Sequence, residues 1–142
     1  MEHNTSPVSM REGKVFLDGV EVMDCVVCTV NFTPEVWNGR QLRERTPSSR
    51  WLGATITGSM TRRRTTPWLK DIIKKYLDDG VTPEFTIQGL MDDKGSDYYK
   101  ISGSDLVTCV GCVLTGDFPL TRLDSEGQIV DDVVGFNVKK IV

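Results

Sequence analysis

Residues 66–88 read TPWLKDIIKKYLDDGVTPEFTIQ, and the fold assignment turns on the change of hydrophobic period inside them. Trp68, Leu69, Ile72, Ile73, Tyr76 and Leu77 recur at helical spacing and make one apolar stripe, opposite Lys70, Asp71, Lys74, Lys75, Asp78 and Asp79. Thr66 is placed to cap this helix, Pro67 suits its first position, and Gly80 supplies a left-handed stop. Asp78 and Asp79 oppose the helix dipole at its C-terminal end, so their charge is expected to serve something outside the helix. Past Gly80 the period drops to two: Phe85, Ile87 and Met91 share one face of a strand.

Outward from this junction the chain reads as strands. Upstream, KVFLDGVEVMD is strand, Asp18-Gly19 hairpin turn and strand, and CVVCTVNF is a β-branched strand that Thr33-Pro34 is expected to close. LGATITGSM alternates Leu52, Ala54, Ile56, Gly58 and Met60 on one face. Downstream, DDKGSD is a turn, YYKIS and LVTCVGCVLT read as strands, DSEGQ is a turn, and VVGFNVKKIV alternates Val134, Phe136 and Val138. About seven strands and one helix with hairpin-length gaps predict a mainly β, antiparallel sandwich or barrel with one flanking α-helix. Residues 1–12 read as a loose polar arm, and residues 13–142 as one domain, which at this length is expected to bury roughly two thirds of its unfolded surface.

The stretch EVWNGRQLRERTPSSRW, Glu35 to Trp51, has no sustained period and carries Arg40, Arg43, Arg45 and Arg50. A structureless connection of such length in a small domain is usually functional. The charge is divided along the chain: residues 39–75 carry a net +8 and residues 76–138 a net −9, within an overall −3. Two unlike patches suit head-to-tail contact with a copy of the same chain. Arg62-Arg63-Arg64 is the best candidate for nucleic-acid contact.

Catalytic readings find little to stand on. The single histidine, His3, lies in the arm, which removes histidine-based nucleophile schemes and most histidine metal sites. No phosphate-binding glycine motif occurs. Asp92-Asp93 and Asp131-Asp132 flank turns, where aspartate is ordinary. The four cysteines form two C-x-x-C pairs, Cys25/Cys28 and Cys109/Cys112. Residues three apart in a regular strand face opposite ways, so each pair is expected to diverge and to bind no metal; a zinc- or nucleic-acid-binding β module is the alternative reading. The N-terminus lacks the pattern of a secretory signal and no apolar run is of membrane-spanning length, so the expectation is a protein made and kept in the cytosol.

Taken in order, GKVFLDGVEV, the long polar loop, GATITGSMTRRRTT, WLKDIIKKYLDDGVTPEFTIQGLMDD and VVGFNVKKIV resemble the tail tube proteins of contractile phages and defective prophages of Gram-positive bacteria. The resemblance covers nearly the whole chain from Gly13 and rests on order and spacing. It implies a structural, non-enzymatic subunit without cofactor, forming hexameric rings that stack into a hollow tube inside a sheath, with tape-measure and baseplate proteins as further partners. DNA would pass through the lumen without specific binding, and the tube would be assembled in the host cytoplasm before joining the phage tail. Residues 35–51 would then reach a neighbouring subunit through Trp37, Arg40, Arg43, Arg45, Arg50 and Trp51. The helix would lie on the outer wall and present Lys70, Asp71, Lys74, Lys75 and Asp78.

Overall fold

The structure, a computed structural model, describes residues 9–118, 120–121 and 123–142. Of the arm expected at residues 1–12, residues 1–8, His3 included, lie outside the described residues; within the remainder, the Ser9 amide donates to Asp93 at 3.0 Å and the Glu12 carbonyl accepts from the Asp92 amide at 3.1 Å. Strands β1 (Gly13–Leu17) and β2 (Val20–Glu21) form the anticipated hairpin, turned by Asp18 at φ 51° and Gly19 at φ 84°. Two positive φ values in succession match the right-handed twist of the strands they join, which is why Asp-Gly is favoured there.

The centre of the fold is one long hairpin, β3 (Cys25–Gly39) against β4 (Ser48–Arg63). Two expectations fail here. Pro34 does not end the strand but pairs with Ala54, and β3 tolerates it because, among the described residues, β4 is its one strand neighbour and proline is accepted on edge strands. The stretch 35–51 is not a structureless loop: only residues 40–47 form the connection, and the rest is strand.

Helix α1 (Trp68–Asp79) follows and ends on Gly80 at φ 70°, as its sequence predicts. The residue at its N-terminal boundary is Pro67, so Thr66 does not cap it. Strand β5 (Phe85–Met91) leads to α2 (Asp97–Ser102), where YYKIS was expected to be a strand. Local capping overrides strand propensity there: buried Ser96 accepts from the Tyr99 amide at 3.2 Å, and Gly103 at φ 70° stops the helix one turn later.

Strand β6 (Asp105–Thr115) runs beside β5, then β7 (Asp131–Val138) and β8 (Lys140–Ile141) return along β6. All the pairings are antiparallel, in the order β2-β1-β5-β6-β7-β4-β3 with β8 also on β6. The result is a rolled antiparallel sheet with flanking helices. The core gathers Met60, Leu69, Ile87, Cys109, Cys112, Val134, Phe136 and Val138. Phe136 lies across from Gly58 in the β4–β7 ladder, and its ring occupies the space a Cβ at Gly58 would need.

The core is small for the chain. A folded monomer of 15.9 kDa is expected to expose about 7,400 Å², and its extended chain about 23,000 Å². This chain exposes 10766 Å², so it buries little more than half of its extended surface instead of the expected two thirds. A single copy leaves much of its apolar surface in water.

Candidate assembly surface

The long hairpin has two dissimilar halves. From Ile56 to Arg63, β4 pairs with β3 on one side and β7 on the other; from Ser48 to Thr55 it pairs with β3 alone. The distal half, Thr33–Gly39 with Ser48–Thr55, therefore projects as a two-stranded ribbon, roughly 25 Å long at the usual rise per residue.

Cross-strand partners share a face, so the pairings Cys28–Met60, Val30–Gly58, Phe32–Ile56, Pro34–Ala54 and Val36–Trp51 define one continuous side. In the proximal half this side holds core residues. From Phe32 outward the described residues leave it uncovered: Phe32 is 49% exposed, Val36 45% and Trp51 64%, and Leu52 at the neighbouring bulge is 65%. The alternation predicted for Leu52 to Met60 is therefore real as a face and wrong as burial, because the core stops at Ile56. The rings of Phe32 and Trp51 meet at 5.6 Å between centroids, which organises the uncovered side. The opposite side carries Thr29, Asn31, Thr33, Thr55, Thr57 and Ser59, a hydroxyl-rich face with few charges.

Among the interface residues expected from the sequence, Trp51 lies on the apolar face, while Trp37 and Arg50 are cross-strand partners on the other face. Arg40, Arg43 and Arg45 crowd the exposed turn at the tip. The turn is ordered: the Glu44 carboxylate accepts from the Gln41 amide at 3.1 Å and the Ser48 hydroxyl at 3.4 Å, and Arg43 is held at φ 74°. Leu42, which the sequence reading missed, stands 97% exposed on this turn.

The base of the hairpin is anchored by the arginines considered above for nucleic-acid contact. Arg62 pairs with Asp24 at 2.8 Å and stacks over the Trp68 ring at 4.4 Å; Arg64 grips fully buried Asp132 at 2.7 Å, and the Trp68 Nε1 donates to the same carboxylate at 3.2 Å. Arg63 faces Asp131 at 3.9 Å. All three guanidinium groups are thus engaged by carboxylates, and their job is to lock β4, β7 and α1 together. Burial pushes the Asp24 carboxyl up, but hydrogen bonds from Arg62 and Thr65 and the Arg62 charge outweigh it and hold it below the ordinary carboxylate range.

The cysteines depart from the reading of regular strands. The β3 register shifts between Cys25 and Val27, and the β5–β6 register shifts where Gly111 takes φ 69°. Each bulge inserts one residue between the members of a C-x-x-C pair, so three steps along the chain return to the same face. Cys109 and Cys112 are both buried, with Cys25 packed against the same core. Burial pushes the Cys28 thiol up to about 11, with Cys25, Cys109 and Cys112 near enough to add to the effect. Among the described residues, no three histidine, cysteine or acidic side chains come together to hold a metal ion.

Helix α1 presents Lys70, Asp71, Lys74, Lys75 and Asp78 to solvent. Its apolar stripe is only partly covered: Leu69 is 2% exposed, but Tyr76 is 46% and Leu77 73% exposed. No helix among the described residues is long and apolar enough to cross a membrane.

The described residues thus form an antiparallel sheet with a two-stranded ribbon whose apolar side they leave uncovered. The chain belongs to the phage tail tube protein family, whose family model matches residues 3–141. That is a family of structural proteins and not of enzymes. It is 26% identical over 129 residues to two proteins of Bacillus subtilis (strain 168), the phage-like element PBSX protein XkdM and the uncharacterized protein YqbM, covering 91% of this chain and 84% of each of those. In fold it is similar to the sheath/tube terminator of an extracellular contractile injection system, PVC, with a TM-score of 0.70 at 9% identity over 96% of this chain and 95% of that one. It is also similar to the anti-feeding prophage tube-terminating cap, with a TM-score of 0.69 at 10% identity over 96% and 89%.

Proposed function

We propose that this chain is the repeating subunit of a contractile, phage-like tail tube, closing into hexameric rings that stack as a hollow conduit within a sheath. The observation that carries the reading is the distal half of the β3–β4 hairpin, whose apolar side continues that of the core and is left uncovered by the described residues. Exposed apolar patches of this kind mark surfaces that meet a partner. The outer edge of β3, 15 residues long with a single proline, offers backbone groups for pairing as well. Trp37, Trp51 and the arginines at 40, 43, 45 and 50 form the contact between subunits, as befits residue types common among interface anchors.

The hydroxyl-rich part of the hairpin's opposite face, Thr29 to Thr33 with Thr55 to Ser59 and short of Trp37 and Arg50, suits the bore: without charges it neither holds nor strongly repels phosphates, so DNA slides through unbound. The exposed polar side of α1, with Lys70, Asp71, Lys74, Lys75 and Asp78, faces the sheath, and tape-measure and baseplate proteins meet the tube ends. Assembly takes place in the host cytoplasm, and the product resides in the tail or particle.

Negative-stain images of concentrated protein test this directly. Hollow tubes with six-fold cross-section are expected; a chain that stays monomeric at every concentration, alone and with its sheath and baseplate partners, overturns the proposal. A strongly basic bore in a reconstructed tube would remove the DNA-conduit part alone.

A further inference from the structure

Between α1, β5 and β6 lies a cavity of about 260 Å³, lined by Ile72, Ile73, Tyr76, Phe85, Val113 and Phe118 among others. Exposed Leu77 and Val81, 73% and 66% accessible, extend the apolar surface beside it. The chain neighbours of these residues are acidic in balance, with Asp78, Asp79, Glu84 and Asp117 against Lys74 and Lys75, and all six are exposed. The hairpin tip is a feature of complementary charge. Leu42 projects into solvent from a turn that Glu44 ties down, flanked by Arg40, Arg43 and Arg45. Glu44, the one acidic residue of that turn, spends its carboxylate on the turn's own backbone and on Ser48.

We infer that Leu42 at the hairpin tip of one copy docks into this cavity under α1 of the next copy, with the tip arginines meeting the acidic rim. The occupant is a second copy of this chain. Ligand and receptor are different surfaces, so the contact is head-to-tail, closing a ring or extending a stack according to the rotation between copies. A left-handed φ at a non-glycine residue, Arg43, is retained because the turn must present Leu42 outward in a fixed shape. The inference rests on the tube reading and specifies which two surfaces meet.

The experiment reverses charge on each surface of the full chain, using exposed side chains so that folding is not at stake. Arg43→Glu with Arg45→Glu makes the tip acidic; Glu84→Arg with Asp117→Arg makes the rim basic. Each pair alone is expected to raise the concentration needed for polymer about tenfold or more, with unchanged circular dichroism and thermal unfolding. Mixing the two variants, or placing all four substitutions in one chain, restores polymer, because an acidic tip then meets a basic rim. Leu42→Asp abolishes polymer, and neither reversal rescues it. Tubes that form normally from either single-surface variant, or a four-fold variant that fails to recover, overturn the contact while leaving the tube reading intact. A wild-type chain that never polymerises sinks both together.

Discussion

The two halves of the β3–β4 hairpin share strands, ladder and alternation, yet they have opposite fates. From Cys25 to Phe32 and from Ile56 to Arg63 the ribbon is flanked by β7, filled by Met60 and the Phe136 ring over Gly58, and clamped by the Asp24–Arg62 and Asp132–Arg64 pairs. From Thr33 to Thr55 the same apolar side meets water. The contrast sets residues at the base, which hold the monomer together, apart from residues of similar character further out, whose apolar side the described residues leave uncovered.

The sharpest test of this division is at the buried carboxylate. Asp132→Ala removes the carboxylate that Arg64 and the Trp68 N–H share, and is expected to cost about 3 kcal/mol or more in denaturant unfolding. Next, Gly58→Val drives a side chain into the Phe136 ring and should cost about 1–3 kcal/mol by the same measurement. Gly111→Ala forces a Cβ against Lys139 at a positive φ, with an expected loss of about 1–2 kcal/mol. Trp37→Ser with Trp51→Ser, in the distal half, should change unfolding by about 0.5 kcal/mol at most while eliminating tubes in electron micrographs. If that pair instead unfolds the monomer, the division between the halves is wrong.

The smallest effect is one of pH. The Cys28 thiol titrates near 11 in the fold against an ordinary value of 9.0, so the folded state holds its proton longer than the unfolded chain does. Stability from this source is complete below about pH 9 and declines as pH rises toward 11, since the unfolded state then binds fewer protons. Cys28→Ser should flatten that alkaline decline. Asp24 behaves in the opposite sense: its lowered carboxyl makes stability fall as acid protonates it, and Asp24→Asn should weaken that dependence.

Local signals were legible wherever neighbours in sequence decide the outcome. The 3.6 period with Gly80 made α1, Asp18-Gly19 made the first turn, and Val134, Phe136 and Val138 face the core as their alternation requires. Residues 35–51 show no sustained period and so read as a loop, whereas the β3–β4 ladder makes most of them strand; cross-strand pairing, which lies outside any local pattern, decides it. Leu42 offered no signal beyond its turn. The Ser96 cap and Gly103 stop were visible in the sequence and outweigh the strand-forming look of YYKIS.

What the sequence determined by itself is the mainly antiparallel β character, the flanking helix and the uneven distribution of charge, since each follows from period, turn chemistry and composition over a few residues. Tertiary structure alone decided the rest. The bulges that turn both cysteine pairs inward, the carboxylates that claim Arg62, Arg63 and Arg64, and the point along the hairpin where the core ends all depend on residues distant in the chain. Alternation specifies which side chains share a face, but only the packing of β7 and α1 against that face determines how far it is buried.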